Sequence, residues 1–210
     1  MDPFSLISTV TGLGTLSGLN LYLTVLLTGL AVRFNFLNLG QTHEPLMILA
    51  NPWVIGISAG LYLVEFFADK IPWIDSIWDA VHTFIRPLGA CLLALETLGD
   101  ASPLLKTLGV LIAGGSSPTT HTAKAATRAV ANVSPEPVSN VALSLVEDAT
   151  VAGGTAMMFL FPTIMLVLCV LVIAALWLVL PMLFRRIGGF FRILKLKIFG
   201  VLATKARSDY

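Results

Sequence analysis

Asp75, Asp79, His82 and Arg86 recur at intervals of four, three and four. At about 100° per helical residue they share one face of a helix, within an arc of about 60°. Two carboxylates, an imidazole and a guanidinium in one row can relay a proton, hold a cation or pair with charges on a neighbouring helix. Other stripes accompany it. His121, Lys124, Arg128 and Asn132 line a second segment, Asn140, Ser144 and Glu147 a third, and Glu65 and Asp69 stand one turn apart in a fourth. Asn20, Thr24 and Thr28 add a polar face to the first segment.

Glu65 and Glu147 carry the sharpest expectation. Leu61-Tyr62-Leu63-Val64-Glu65 matches Leu143-Ser144-Leu145-Val146-Glu147 at four of five positions, as if two halves of the chain repeated one another. A carboxylate at such a place binds a cation directly or carries a proton. Asp69, Asp79 and Asp148 are candidates for the same ion site. His82 and His121 could act as proton relays or soft metal ligands, with Arg86, Lys124 and Arg128 as pairing partners. Asn20 follows Gly18 in a stretch expected to unwind, where bare carbonyls and the Asn20 amide could coordinate an ion. No metal is specified by these spacings, and no cofactor is expected.

The elements that must position these groups belong to a membrane. Hydrophobic residues make up 56% of the 210 and charged ones only 12%, a balance that a soluble domain does not need. Leaving out Glu96, Asp100 and Lys106 around the loop after segment C, eleven charged residues nevertheless fall in or beside helices from Glu65 to Asp148. At about 3 kcal/mol each, turning them all to lipid would cost about 30 kcal/mol, more than a typical domain's stability. The stripes must therefore face one another or a water-filled cavity.

Six apolar segments are expected. A runs from about 5 to 33 with a break at Ser17-Gly18-Leu19-Asn20, B from 52 to 69, and C from 74 to 98. D runs from 103 to 132 with a break at Gly114 to Pro118, E from 138 to 152, and F from 155 to 184. E alone is short for a hydrocarbon core about 30 Å thick. The fold expected is all-α: a polytopic membrane helix bundle of about six spans, arranged as two inverted three-helix repeats with broken helices. Repeat one covers 5–98, repeat two 103–184, within a single transmembrane domain, 1–184. Residues 185–210 form a basic amphipathic tail, expected to be a helix lying in the interface. Its Arg185, Arg186, Arg192, Lys195 and Lys197 place it in the cytoplasm by the positive-inside rule, and six spans then put both termini there. Arg33 and Lys106 oppose that orientation. Cys91 and Cys169 lie in separate apolar runs and are not expected to pair.

Three stretches together carry a resemblance. They are Ser17-Gly18-Leu19-Asn20, Ala68-Asp69-Lys70-Ile71-Pro72-Trp73-Ile74-Asp75 running on to Ile85-Arg86-Pro87, and His121-Thr122-Ala123-Lys124-Ala125 running on to Ser134-Pro135-Glu136-Pro137. This set resembles the bacterial membrane family catalogued as domain of unknown function 4126, which implies a compact multi-span protein of the bacterial inner membrane and no activity. A looser architectural similarity is to the lysine-exporter superfamily, whose acidic motif this chain does not reproduce.

No zinc helix, serine elbow, phosphate loop or paired-cysteine site is present, since His43-Glu44 lacks its second histidine, and the chain is not expected to be an enzyme or to bind nucleic acid. The expected function is a small secondary transporter or ion-coupled permease, moving a cation or using proton coupling, with the bilayer and a small ion or molecule as partners. Acidic groups outnumber basic ones along the stripes, which favours a positive cargo. The alternatives are an oligomeric channel and a lipid-handling or scaffold protein without transport. Homo-oligomers suit either mode of transport.

Overall fold

The computed structural model describes residues 3–35, 41–131, 137–182 and 184–185. These residues form helices joined by short turns, with no strand among them. The order is α1 Pro3–Leu19, α2 Leu21–Arg33, a 3-10 stretch Gln41–Ala50, α3 Pro52–Ala68, α4 Pro72–Leu98, α5 Pro103–Ala131, α6 Pro137–Leu160 and α7 Pro162–Met182. Proline opens most of them, because its missing N–H falls where a helix has no acceptor to offer. Asn51 caps α3 by accepting from Trp53 N, and Gly99, at φ 44°, closes α4 in a conformation that suits glycine. Two compact units divide the chain after Ile173, and the site lies wholly within the first.

Three helices are long and apolar enough to cross a bilayer: Trp73–Leu98, Val138–Leu160 and Pro162–Met182. Within the first unit the helices enclose a sparse core. Leu13, Leu16, Leu21, Val32, Leu49, Leu93, Met158 and Cys169 form one cluster, and Val10, Ala90, Ala94, Leu98 and Ala113 form another. Large apolar side chains elsewhere point outward, among them Phe67, Phe84, Leu88, Leu171 and Leu178. That inside-out distribution is expected of a bundle solvated by lipid.

α1 is the central helix, and it packs by close approach. Residues 8 to 18 are all buried. A Cβ on Gly14 would lie 2.7 Å from Ala113 Cα, and one on Gly12 would lie 2.8 Å from Met158 Sδ. Small residues thus let α5 and α6 come against its backbone, and Thr120 Oγ1 donates across the seam to Thr15 O at 2.9 Å.

Segment A is broken where the sequence indicated, but the break turns the chain around. Along α1, Val10 packs with Ala94 and Leu98 of α4, and eight residues on the Gly18 carbonyl meets Arg86. The helix therefore runs antiparallel to α4. Along α2 the order reverses: Leu21 packs on Gly89 of α4, and eight residues on Gly29 packs against Leu49 and Ile55, at the start of α3 where Val54 lines one cavity with Glu96. The two helices form a hairpin with Asn20 at its tip. One extended residue suffices, at φ −150° and ψ 102°, with its side chain accepting from Leu23 N. Segment A is therefore two antiparallel helices and not one continuous crossing.

Two further expectations are corrected. Segment D is not broken at Gly114 to Pro118, for α5 runs through Pro118 unbroken. Hydroxyls of Ser116, Thr119, Thr120 and Thr122 hold the preceding turn's carbonyls there, and α1 braces the same stretch. The paired breaks that the inverted repeat required are thus not a pair. The boundary between E and F falls at Phe161, not near 153, because Gly154 packs under Leu16 while Pro162 starts a new helix. α6 accordingly has 24 residues, about 36 Å, enough to cross. It runs antiparallel to α1, with Met158 against Gly12 and Asp148 at Asn20. α7 folds back, with Pro162 O accepting from Ser8 Oγ and Cys169 beside Thr15. Cys91 and Cys169 are both free. Asn132, Glu136 and the amphipathic tail lie outside the described residues.

Candidate functional site

The stripes converge on the hairpin tip. Ending α1 at Leu19 leaves its last carbonyls without helical donors, and an end of this kind carries partial negative charge. Arg86 Nη1 donates to Gly18 O at 2.9 Å, and Lys124 Nζ to Leu19 O at 3.3 Å. The start of α2 has the opposite polarity and an anion beside it. Asp148 accepts from Asn20 Nδ2 at 3.2 Å and from Tyr62 Oη at 3.0 Å. Asn20 is 1% exposed, so protein atoms, not lipid, surround this non-helical backbone.

From the tip a ladder of charges runs toward the end of α5. Glu65 Oε1 receives Arg86 Nη2 at 2.6 Å and Lys124 Nζ at 3.2 Å. Lys124 reaches Asp69 and Glu147 as well, each at 3.3 Å. Arg128 comes next, holding Glu147 Oε2 at 2.7 Å, Asp69 Oδ2 at 2.9 Å and Asp69 O at 2.8 Å. Arg128 Nη1 stands 3.2 Å from Asp75 Oδ1. Glu65, Arg86, Lys124 and Arg128 are each 3% exposed or less. Beside the ladder, at the α3 to α4 turn, Lys70 Nζ sits 3.0 Å above the Phe66 ring, where burial pushes its ammonium below the usual value.

The carboxylates are held unequally. Glu65 sits in the ladder's centre with Oε1 doubly bonded, although its Oε2, like Asp69 Oδ1, has no hydrogen-bond partner; Asp79 Oδ1 has only Arg86 at 3.6 Å, and Asp75 lacks a hydrogen-bond partner at both oxygens among the described residues. Both aspartates line a cavity of about 260 Å³ between α4 and α5, together with Thr83 and Arg128. Alanines 80, 125 and 129 leave the room for it. A cavity of this size with polar walls holds several waters.

The histidines take defined roles. Arg86 Nη1 lies 2.7 Å from His121 Nδ1. A guanidinium can only donate, so Nδ1 accepts and the proton sits on Nε2, which meets Asp79 O and Thr83 Oγ1 at 3.1 Å. His82 Nδ1 donates to Trp78 O at 2.7 Å, and its Nε2 meets Tyr22 Oη at 2.9 Å. Neither ring offers a free nitrogen to a metal. No group of three or more His, Cys, Asp or Glu side chains able to hold a metal ion occurs among the described residues.

Glu65, Asp69, Asp79, Glu147, Asp148, Asn20, Arg86, Lys124, Arg128 and His121 thus form one contiguous site, with Asp75 at its cavity end. His82 joins only through Tyr22. Glu65 and Glu147 sit on different rungs of the same ladder, both within reach of Lys124 Nζ. Sequence reasoning missed Tyr22 and Tyr62. Tyr62 was legible in principle, being the one position where the two matching pentapeptides differ.

The profile of the family described as Domain of unknown function (DUF4126) matches residues 7–182. No curated protein and no solved structure matches the chain, and the likeness to the lysine-exporter superfamily finds no support.

Proposed function

We propose that this chain, which belongs to the family described as Domain of unknown function (DUF4126), is a small proton-coupled secondary transporter whose coupling site is the buried ladder. One observation carries the reading. Six carboxylates, four of them buried (Glu65, Asp69, Asp75 and Asp79) and two half-buried (Glu147 and Asp148), meet three buried cations, Arg86, Lys124 and Arg128, and the acids stay in excess even with Lys70 at the edge of the ladder counted. Buried charge without a counter-charge is costly, so the excess calls for bound protons or a bound cation.

Two features favour protons. The Gly18 and Leu19 carbonyls, which would ligate a free cation at a broken helix, are engaged by Arg86 and Lys124. These cations are tethered and occupy the seat already. The cavity then gives water a route to Asp75 and Asp79, the two carboxylates with the weakest partners. A proton arriving there weakens the hold of Asp79 on Arg86, and Arg86 is the residue that ties the hairpin tip to Glu65. Protonation at the cavity can in this way loosen the tip, which is the linkage a coupled carrier needs.

The reading includes a topology. α3 to α7 cross the membrane, and α1 with α2 enters and leaves from one side as a re-entrant hairpin. Lys70 and the basic residues after α7 lie on the cytoplasmic side of a bacterial inner membrane, while Arg33 and Lys106 lie opposite. In this topology the beginning of α1 lies with Arg33, in place of the cytoplasmic N-terminus that six spans would give. Arg33 and Lys106 then share one face, and the conflict they posed as lone residues becomes a consistent asymmetry.

The test is a pH-sensitive dye trapped in proteoliposomes, to which a panel of small amines and other small solutes is added. At least one solute should move the internal pH in wild type, and the response should disappear in Asp79→Asn and Glu147→Gln with folded yield retained. A wild type indistinguishable from empty vesicles across the panel, or full response in both variants, overturns the proposal.

A further inference from the structure

A second cavity, of about 370 Å³, lies away from the ladder, between α2, the 3-10 stretch, α3 and α4. α2 turns back beside α4, and Gly89 lets Leu21 pack closely at one end of the cavity. Its size falls in the range of small-molecule sites. Val25, Leu49, Val54, Ile57 and Leu92 make its walls. The few polar groups within are occupied: Ser58 Oγ donates to Ile55 O, and Tyr22 Oη is held at His82. The interior therefore offers nothing to water or an ion and suits an apolar occupant.

Which occupant follows from its lips and its mouth. Ile57 and Leu92 are 59% and 63% exposed, on faces of α3 and α4 that continue outward through Trp53, Leu88 and Leu95. The groove thus opens sideways onto the surface that lipid covers, where the commonest apolar chain is an acyl tail. An exposed anion lines the cavity, and an exposed cation ends the helix that forms one of its walls. Glu96 lines the cavity on α4, and Arg33 ends α2 with Nη1 on Ala50 O at 3.0 Å, one residue beyond the groove residue Leu49. A headgroup bearing a phosphate and a primary ammonium complements that pair, with phosphate to Arg33 and three N–H donors to Glu96.

We infer that this groove is a specific site for a phosphatidylethanolamine-type lipid, one tail in the groove and its zwitterionic headgroup between Arg33 and Glu96. The site is independent of proton coupling. It gives the short helix α2, which ends before a full crossing, an apolar neighbour along the flank that α3 and α4 leave open.

Native mass spectrometry of the full chain in detergent tests this, after exposure to equal amounts of phosphatidylethanolamine, phosphatidylglycerol and phosphatidylcholine. Phosphatidylethanolamine adducts should exceed the other two by about fivefold, the order that one exposed ion pair supplies. Glu96→Lys, on an exposed face, should reverse the preference toward phosphatidylglycerol. Val54→Trp should fill the groove and lower retention of all three lipids. An unchanged headgroup preference in Glu96→Lys overturns the proposal, as does wild-type retention by a folded Val54→Trp protein. Should Val54→Trp fail to fold, the Glu96→Lys result decides.

Discussion

The two ends of the ladder use the same side-chain types and reach opposite states. At the hairpin tip, Glu65 is fully buried and receives two cations, and those cations also close the carbonyl end of α1. At the cavity end, Asp75 and Asp79 are as deeply placed but have poor partners, one cation at 3.2 Å and one at 3.6 Å. Burial alone therefore does not mark a working carboxylate. What separates them is whether removing the charge would leave a partner stranded, and that defines a structural end and a responsive end.

Removing Arg86 should have the largest effect. Arg86→Leu leaves Glu65 with Lys124 alone and takes the donor from the Gly18 carbonyl and from His121 Nδ1, and a loss of about 3–5 kcal/mol is expected, read as a lower unfolding midpoint in detergent. Adding Glu65→Leu should restore much of that loss, because a buried pair replaced by apolar groups is often neutral. A single variant that melts like wild type would remove the structural end from the comparison. Gly18→Ala comes next. Its Cβ would collide with Thr120 Oγ1 and with the Ser117 carbonyl, and about 1–3 kcal/mol should be lost. Thr120→Ala should not rescue it, since the carbonyl stays. Asn20→Ala removes the cap of α2 and a donor to Asp148, and should cost about 1 kcal/mol in the same melt. Asp75→Asn and Asp79→Asn should each change stability by less than about 1 kcal/mol, since neither leaves a well-bonded partner behind. A loss near that of Arg86→Leu would place the cavity end in the structural class too.

How much of this was legible in the sequence depended on the kind of information needed. The stripe spacings were enough to gather Glu65, Asp69, Asp79, Arg86, Lys124 and Arg128, because charges in an apolar chain have nowhere else to go. The break at Asn20 was legible from Gly18 and Asn20, but its sense was not. A reversal and a straight break differ only in the dihedral angles of one residue, and the contacts of Leu21 and Gly29 decide between them. Pro118 misled for a related reason: a proline breaks a helix unless hydroxyls and a packed neighbour hold the turn. Gly153-Gly154 likewise read as a boundary, when Gly154 is small to admit Leu16. Tyr22 and Tyr62 looked apolar, and their hydroxyl roles became visible only with partners across the bundle.

The most direct test of the central claim is a map of carboxyl reactivity in the intact membrane. A hydrophobic carbodiimide adds to protonated carboxyl groups that it can reach, and peptide mass spectrometry locates the adducts. Asp75 or Asp79 should be labelled, with labelling that falls as pH rises, while Glu65 between Arg86 and Lys124 stays unmodified. Adducts on Glu65 with none on either aspartate would contradict the account.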